Sequence, residues 1–273
     1  MISIHRFNYA GYSSEDFDLC CELSFDDGSG ESSTFLSREA VASDTYRGEI
    51  QRVSSYKYTD VLAPTITLTD KNFGEFDLDR QRKILRWLTS KHSPSFITIY
   101  HDDSNVVSYE ILGAFTEIST YKNGNGCVIG FTAVAKSISP FAYSALQSIT
   151  KTITGTTTFD IEVDSDDEEN AIYPRITITK NGSGDVTITN TYADQNQQSH
   201  IATLQIKNNI DGERIVVDGA NRVISSSATN RVFDDDFVGW SWLPIYNGIN
   251  TIAVTGDCVV KLEYREIRKV GEF

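Results

Sequence analysis

No apolar run in the 273-residue chain approaches the roughly 20 residues that a membrane-spanning helix requires, and the opening MISIHRFNYAGYSSEDF lacks the basic start and apolar stretch of a secretory signal. The chain is therefore expected to be made and folded in the cytoplasm, with no membrane partner. Cysteine is sparse: Cys20, Cys21, Cys127 and Cys258 form no CxxC pair and have no histidine at zinc-site spacing, so they read as buried, reduced thiols. In a strand the adjacent Cys20 and Cys21 point to opposite faces and cannot serve one ligand together. Clustered positive charge is missing as well. The net charge is -14, and residues 1–145 and 146–273 carry -6 and -8, so neither half has the basic block on which phosphate-backbone affinity rests. The densest cationic patch, Arg80, Arg82, Lys83 and Arg86, reads as a solvated helix face beside Asp77 and Asp79.

Motifs of catalysis are also absent. There is no GxSxG, HExxH or GxxxxGK[ST] string, and His5, His92, His101 and His200 sit apart in polar or turn-like contexts. Tyr100-His101-Asp102-Asp103 reads as a hairpin turn, and no metal is assigned to it. The acidic runs Asp164-Ser165-Asp166-Asp167-Glu168-Glu169 and Asp234-Asp235-Asp236 lack EF-hand glycine and spacing, and read as hydrated loops. Carboxylate richness alone leaves a hydrolase as a distant third reading, because paired acids must face each other across a cleft. No catalytic residue and no cofactor is expected.

What is present is alternation. Val, Ile, Thr, Tyr and Phe alternate with polar residues between Gly, Asn and Asp clusters, which predicts a mainly β protein. The clearest strands are Thr65 to Thr69, Ser95 to Tyr100, Gly113 to Tyr121, Cys127 to Lys136, Arg175 to Lys180, Asp185 to Thr191, Ile201 to Lys207, Thr251 to Thr255 and Cys258 to Arg265. Asn-Gly-Ser-Gly between RITITK and DVTITNT predicts a hairpin, as does Lys-Asn-Gly-Asn-Gly between Tyr121 and Cys127. Asp77 to His92 breaks the pattern: Leu78, Gln81, Leu85 and Leu88, with Ile84 beside them, lie at helical spacing and predict a helix over about 78–91. Trp87 completes its apolar stripe, Asp77 or Asp79 caps its start, and Ser93-Pro94 stops it. A weaker helix is predicted over Ser37 to Ser43. At 273 residues, two domains are the natural expectation, 1–145 with the helix and 146–273 as an all-β sandwich. Trp240 and Trp242, two apart, share one face of a strand, and at least one of them is expected in the core.

Several stretches together resemble the distal tail proteins of long-tailed phages and of phage-like particles of Gram-positive bacteria. They are Tyr56 to Thr69 (YKYTDVLAPTITLT), the helix core Ile84-Leu85-Arg86-Trp87-Leu88, Tyr109 to Thr116 (YEILGAFT), and Val128 to Ser139 followed by Pro-Phe-Ala-Tyr-Ser. In the second half they are Asn208 to Asn221 and Trp242 to Val260, above all Tyr246-Asn247-Gly248-Ile249-Asn250 with Ile252, Val254 and Gly256, and the ending Tyr264 to Gly271. The resemblance runs over almost the full length through order and spacing. It implies an N-terminal β-sandwich with one helix that builds a hexameric ring, and a C-terminal galectin-like β-sandwich. It also implies a non-enzymatic structural role in the virion tail tip, with the tail tube protein and the tip hub protein as partners. Tight nucleic-acid binding is not implied, although DNA passes through the channel. The irregular stretch containing Arg38, Arg47, Arg52, Tyr56 and Tyr58 suits an arm that reaches a neighbouring copy. The chain has no room for the inserted carbohydrate-binding module that glycan-binding members often carry. The alternative is a glycan-binding module that attaches to a host surface through Trp240 or Trp242.

Overall fold

A computed structural model describes residues 2–25, 38–42, 53–58, 60–193, 198–238 and 241–270. The chain divides into two compact units, Met1–Tyr143 with Lys269–Phe273, and Ser144–Arg268. Lys269 and Val270 thus group with the first unit, and Val270 packs on its core. Strand alternation cannot see this, because two residues at a chain end carry no period.

The first unit opens with β1 (Ile2–Ile4), β2 (Arg6–Tyr9), β3 (Tyr12–Ser13) and β4 (Leu19–Ser24). A separate two-stranded ribbon follows, β5 (Arg38–Ala42) and β6 (Val53–Tyr58). Then come β7 (Thr65–Asp70), the helix α1 (Leu78–Leu88), β8 (Ser95–Tyr100), β9 (Tyr109–Lys122), β10 (Val128–Ser137) and β11 (Ala142–Tyr143). The main sheet runs β1-β4-β7-β10-β9-β8-β2-β3, with β11 beside β9. Only His5 separates β1 from β2, so one stretch of chain pairs with β4 on one side and β8 on the other. The sheet is thereby folded over a single core, with β1 and β3 at the ends of its strand order. A bulge at the Glu117/Phe115 step of the β9–β10 pairing supplies part of the bend. Gly113 sits where those strands press closest: a Cβ there would lie 2.2 Å from the Lys136 carbonyl oxygen.

Helix α1 starts where expected, with the Asp77 carboxylate accepting the Arg80 N–H at 2.7 Å, and ends earlier, at Leu88, with Thr89 as its cap. Its buried face is Ile84, Trp87 and Leu88, whereas Leu78 is 78% exposed and Leu85 is 37% exposed. The expected stripe through Leu78 and Leu85 is therefore rotated by tertiary packing. Trp87 decides the rotation: it stacks between Phe7 at 5.1 Å and Phe17 at 4.6 Å, and its indole N–H donates to the Tyr9 carbonyl at 2.8 Å. Arg80 leaves the solvated face expected for the cationic patch. Its guanidinium pairs with the Asp70 carboxylate and donates to the Phe17 carbonyl at 2.7 Å, stapling the helix to the loops beside β4 and β7.

Ser37 to Ser43 is not helical where it is described, since Arg38–Ala42 is β5. Pairing with β6 outweighs a weak local preference. The thiols divide as strand geometry requires, with Cys21 buried and Cys20 exposed, so the expectation that all four are buried holds for Cys21 and Cys258 but fails at Cys20 and at the half-buried Cys127. Burial pushes the Cys21 thiol up to about 12, which keeps it protonated and inert.

The second unit contains β12 (Gln147–Ile153), β13 (Thr156–Val163), β14 (Arg175–Lys180), β15 (Gly184–Ala193), β16 (Ser199–Asn209) and β17 (Arg214–Asp218). It continues with β18 (Val223–Ser226), β19 (Phe237–Val238), β20 (Gly248–Thr255) and β21 (Cys258–Tyr264). Two five-stranded sheets form, β12-β21-β14-β17-β18 and β13-β20-β15-β16-β19. Their inner faces supply an aliphatic core that includes Ile176, Ile178, Val186, Ile188, Leu204, Ile206, Ile252 and Val254.

The expected hairpin between RITITK and DVTITNT does not form. Strand β14 pairs with β17 and β21, while β15 pairs with β16 and β20 in the other sheet. Asn181-Gly182-Ser183 is a corner between sheets, and Gly182 takes φ +71° there. A hairpin and a corner need the same turn residues and the same alternation, so local sequence cannot separate them. Neighbouring corners lock this one in place: the Lys180 ammonium donates to the Asp257 carbonyl at 2.9 Å, and the Asp257 carboxylate accepts the Gly155 N–H at 2.8 Å. The other expected hairpin is present, with Asn123 N–H donating to the Cys127 carbonyl and β9 pairing with β10.

Candidate assembly and binding surfaces

Ribbon β5–β6 pairs Arg38 with Tyr58, Glu39 with Lys57, Ala40 with Tyr56 and Val41 with Ser55. Because strand faces alternate, Arg38, Ala40, Tyr56 and Tyr58 share one face, and Glu39, Val41, Ser55 and Lys57 share the other. The Arg38 guanidinium lies 5.7 Å from the Tyr56 ring centre and 5.9 Å from that of Tyr58. Tyr58 meets Phe141 edge to face at 4.7 Å, which ties the base of the ribbon to the first unit. Tyr56 is 63% exposed, and Arg38, Glu39, Ala40 and Val41 are exposed as well. A two-stranded ribbon buries too little to be stable alone, so an arm of this kind gains order from whatever covers it. Of the residues expected to form an arm, the structure brings Arg38, Tyr56 and Tyr58 together; Arg47 and Arg52 lie outside the described residues.

In the second unit Trp242 is not on the strand expected to carry it. Strand β19 ends at Val238, and Trp242 follows in non-strand chain; Trp240 lies outside the described residues. Trp242 packs partly against the core, 5.1 Å from Phe237. It also lines a surface cleft of about 580 Å³ with Tyr173, Arg222, Ser241 and Pro244. Three separate segments build this cleft. An isolated bridge between Ile172 and Ile245 holds two of them together. The third is the β17–β18 turn, where a Cβ at Gly219 would fall 2.8 Å from the Pro174 carbonyl and 3.1 Å from that of Trp242. Sequence separations this long leave no local signal, which is why Tyr173, Arg222 and Pro244 escape a reading by motif.

The acidic runs are tied down more than hydrated loops would be. Asp164 N–H donates to the Glu266 carboxylate at 3.1 Å, Ser165 N–H to Asn247 at 2.9 Å, and Asn170 to Asp167 at 2.8 Å. Asp236 pairs with Arg231 at 2.8 Å. Among the described residues, no group of three or more His, Cys, Asp and Glu is placed to hold a metal ion. His101 and Asp102 fall in the turn between β8 and β9, as expected.

The segment Tyr246 to Gly256 acquires a physical meaning. The Asn250 side-chain oxygen accepts the Tyr246 N–H at 2.9 Å, and its amide donates to the Tyr246 and Gly248 carbonyls at 2.6 and 3.1 Å. Buried Asn190 donates to Asn250 at 2.9 Å and to the Pro244 carbonyl at 2.8 Å. Ile252 and Val254 fill the core, and Gly256, at φ +113°, would place a Cβ 2.5 Å from the Asp185 carbonyl.

The described chain is thus two β units in tandem, the first bearing an exposed ribbon. The chain belongs to the phage tail protein family: residues 2–139 match the model of the phage tail protein N-terminal domain, and residues 141–264 match that of the phage tail C-terminal domain. Among solved structures, the Dit protein (gp 19.1) of phage SPP1 is similar in fold, with a TM-score of 0.61 at 11% identity over 97% of this chain and 99% of that one. Its structure is described as a paradigm of the hub adsorption apparatus in phages that infect Gram-positive hosts. A chain of the phage P2 baseplate in its activated conformation with calcium gives 0.54 at 9% identity, over 97% and 98%. The resemblance to distal tail proteins holds at the level of fold. A search of the curated proteins gave no match.

Proposed function

We propose that this chain is the distal tail subunit of a phage-type tail tip, assembling through its first unit into a hexameric ring that joins the tail tube to the hub. The observation that carries this reading is fold agreement with the SPP1 Dit protein over 97% of this chain, together with membership in the phage tail family. The ribbon supplies the means. Copies related by rotation use heterologous contacts that close into a ring, and an arm presenting Arg38, Tyr56 and Tyr58 on one face offers the aromatic and guanidinium groups enriched at interface cores. The role is mechanical, without chemistry of its own. The net charge of -14 suits a subunit lining a channel for DNA, since carboxylates repel phosphates and leave the genome free to slide.

Light scattering and negative-stain imaging of the purified protein test this. A six-membered ring is expected, and Arg38→Glu combined with Tyr56→Ala should weaken it while leaving the melting temperature of the subunit unchanged, because both side chains are exposed. A monomer at tens of micromolar in every salt, or a ring indifferent to the double substitution, would sink the ring or the arm respectively.

A further inference from the structure

The cleft at Trp242 has the chemistry of a ligand site. Its lining offers the rings of Trp242, Tyr173 and Pro244, the Ser241 hydroxyl, and one guanidinium, Arg222, with no carboxylate among these side chains. Its walls are fixed by backbone: the Ile172–Ile245 bridge, the Gly219 N–H donated to the Pro174 carbonyl at 3.2 Å, and Asp218 accepting from both the Asn221 N–H and its side-chain amide. Two residues here hold left-handed backbone without being glycine, Arg222 at φ +55° in the lining and Leu243 at φ +52° between Trp242 and Pro244. A buried leucine in that region is an outlier whose cost the surrounding packing must offset, and such outliers gather where a side chain has to be aimed.

We infer that this cleft binds an anionic saccharide, a pyranose ring carrying an acidic substituent. The C–H face of a pyranose stacks on an indole or phenol ring as other apolar surfaces do. A guanidinium supplies paired donors that match a carboxylate, and Ser241 can both give and accept a hydrogen bond at a sugar hydroxyl. The one guanidinium in the lining, with no carboxylate beside it there, selects for the acidic sugar by local pairing, against the net charge of -14 of the whole chain. The cleft stands on its own residues and does not depend on the ring.

Saturation-transfer NMR on the full-length protein, with methyl glucuronide and methyl glucoside as probes, tests the assignment. The glucuronide is expected to bind and the glucoside to bind about tenfold more weakly, the worth of one charge-assisted hydrogen bond. Arg222→Gly should erase that preference without harming the turn, since glycine accepts the same positive φ. Trp242→Ala should abolish binding of both sugars; because Trp242 also packs on Phe237, Tyr173→Ala, at a 37%-exposed position, provides a second loss-of-stacking variant. Transfer to neither sugar, equal binding of both by the unaltered protein, or an intact preference in Arg222→Gly would overturn the proposal.

Discussion

The two units bury comparable numbers of strands in different ways. In the first, large aromatic side chains organise the core: Phe7, Tyr9, Trp87, Phe115, Phe76 and Phe131 meet in stacked and edge-on pairs around a helix. In the second, Ile, Val and Leu at strict alternation fill the space between two sheets, and polar side chains tie the ends. A helix against a folded sheet leaves irregular gaps that only a few large, specifically oriented rings can fill, whereas two facing sheets present a repeating surface that β-branched residues match. The first unit should therefore depend on individual residues, and the second on its network of polar ties.

The largest effect should come from Trp87→Ala. Losing both ring stacks and the hydrogen bond to Tyr9 should destabilise the first unit by about 3–5 kcal/mol, read as lost hydrogen-exchange protection in β2 and β4, with protection in β15 and β20 retained. Equal loss in both units would show that they unfold as one and would break the comparison. Next is Asn250→Ala in the second unit, which strands the Tyr246 N–H and two carbonyls and removes the acceptor of Asn190, for a cost of about 1–3 kcal/mol by denaturant unfolding. Ile252→Val, one methylene in the same strand, should cost less; if it costs more, the core and not the polar tie governs this unit.

The subtlest difference concerns acid. The Asp70 carboxyl lies below its ordinary value because the Gly74 N–H, the Arg80 guanidinium and the Asn72 N–H all donate to it. A group whose folded value is depressed contributes stability that is full above the unfolded value of 3.8 and is lost as pH falls through the folded one. The stability gap between the wild type and Asp70→Asn should thus be constant near neutrality and shrink below about pH 4. A gap independent of pH down to the acid transition would show that Asp70 acts through packing alone.

Much of this molecule was legible from period and turn chemistry. Nine strand segments and the β9–β10 hairpin follow from alternation and from Asn-Gly, and helix α1 with its Asp77 cap from helical spacing, because these are properties of residues near one another along the chain. The tryptophan pair was half legible: Trp242 does touch the core, while the strand meant to carry it is replaced by irregular chain whose Leu243 takes positive φ. Arg38, Tyr56 and Tyr58 were marked by composition alone, and only the cross-strand register shows that they share a face.

The sequence by itself determined that the chain is β-built, carries a helix opening at Asp77, is acidic throughout and is free of catalytic motifs, since each follows from residue type and local spacing. Tertiary structure decided which strands pair, and it turned an apparent hairpin into a corner between sheets because Lys180 and Asp257 knit that corner to its neighbours. It also decided which face of α1 is buried, because Trp87 finds its slot between Phe7 and Phe17 and turns Leu78 outward. The cleft at Trp242 belongs to the same class. Its side chains come from segments tens of residues apart, and no property of neighbours along the chain records that the sandwich brings Tyr173, Arg222 and Trp242 to one place.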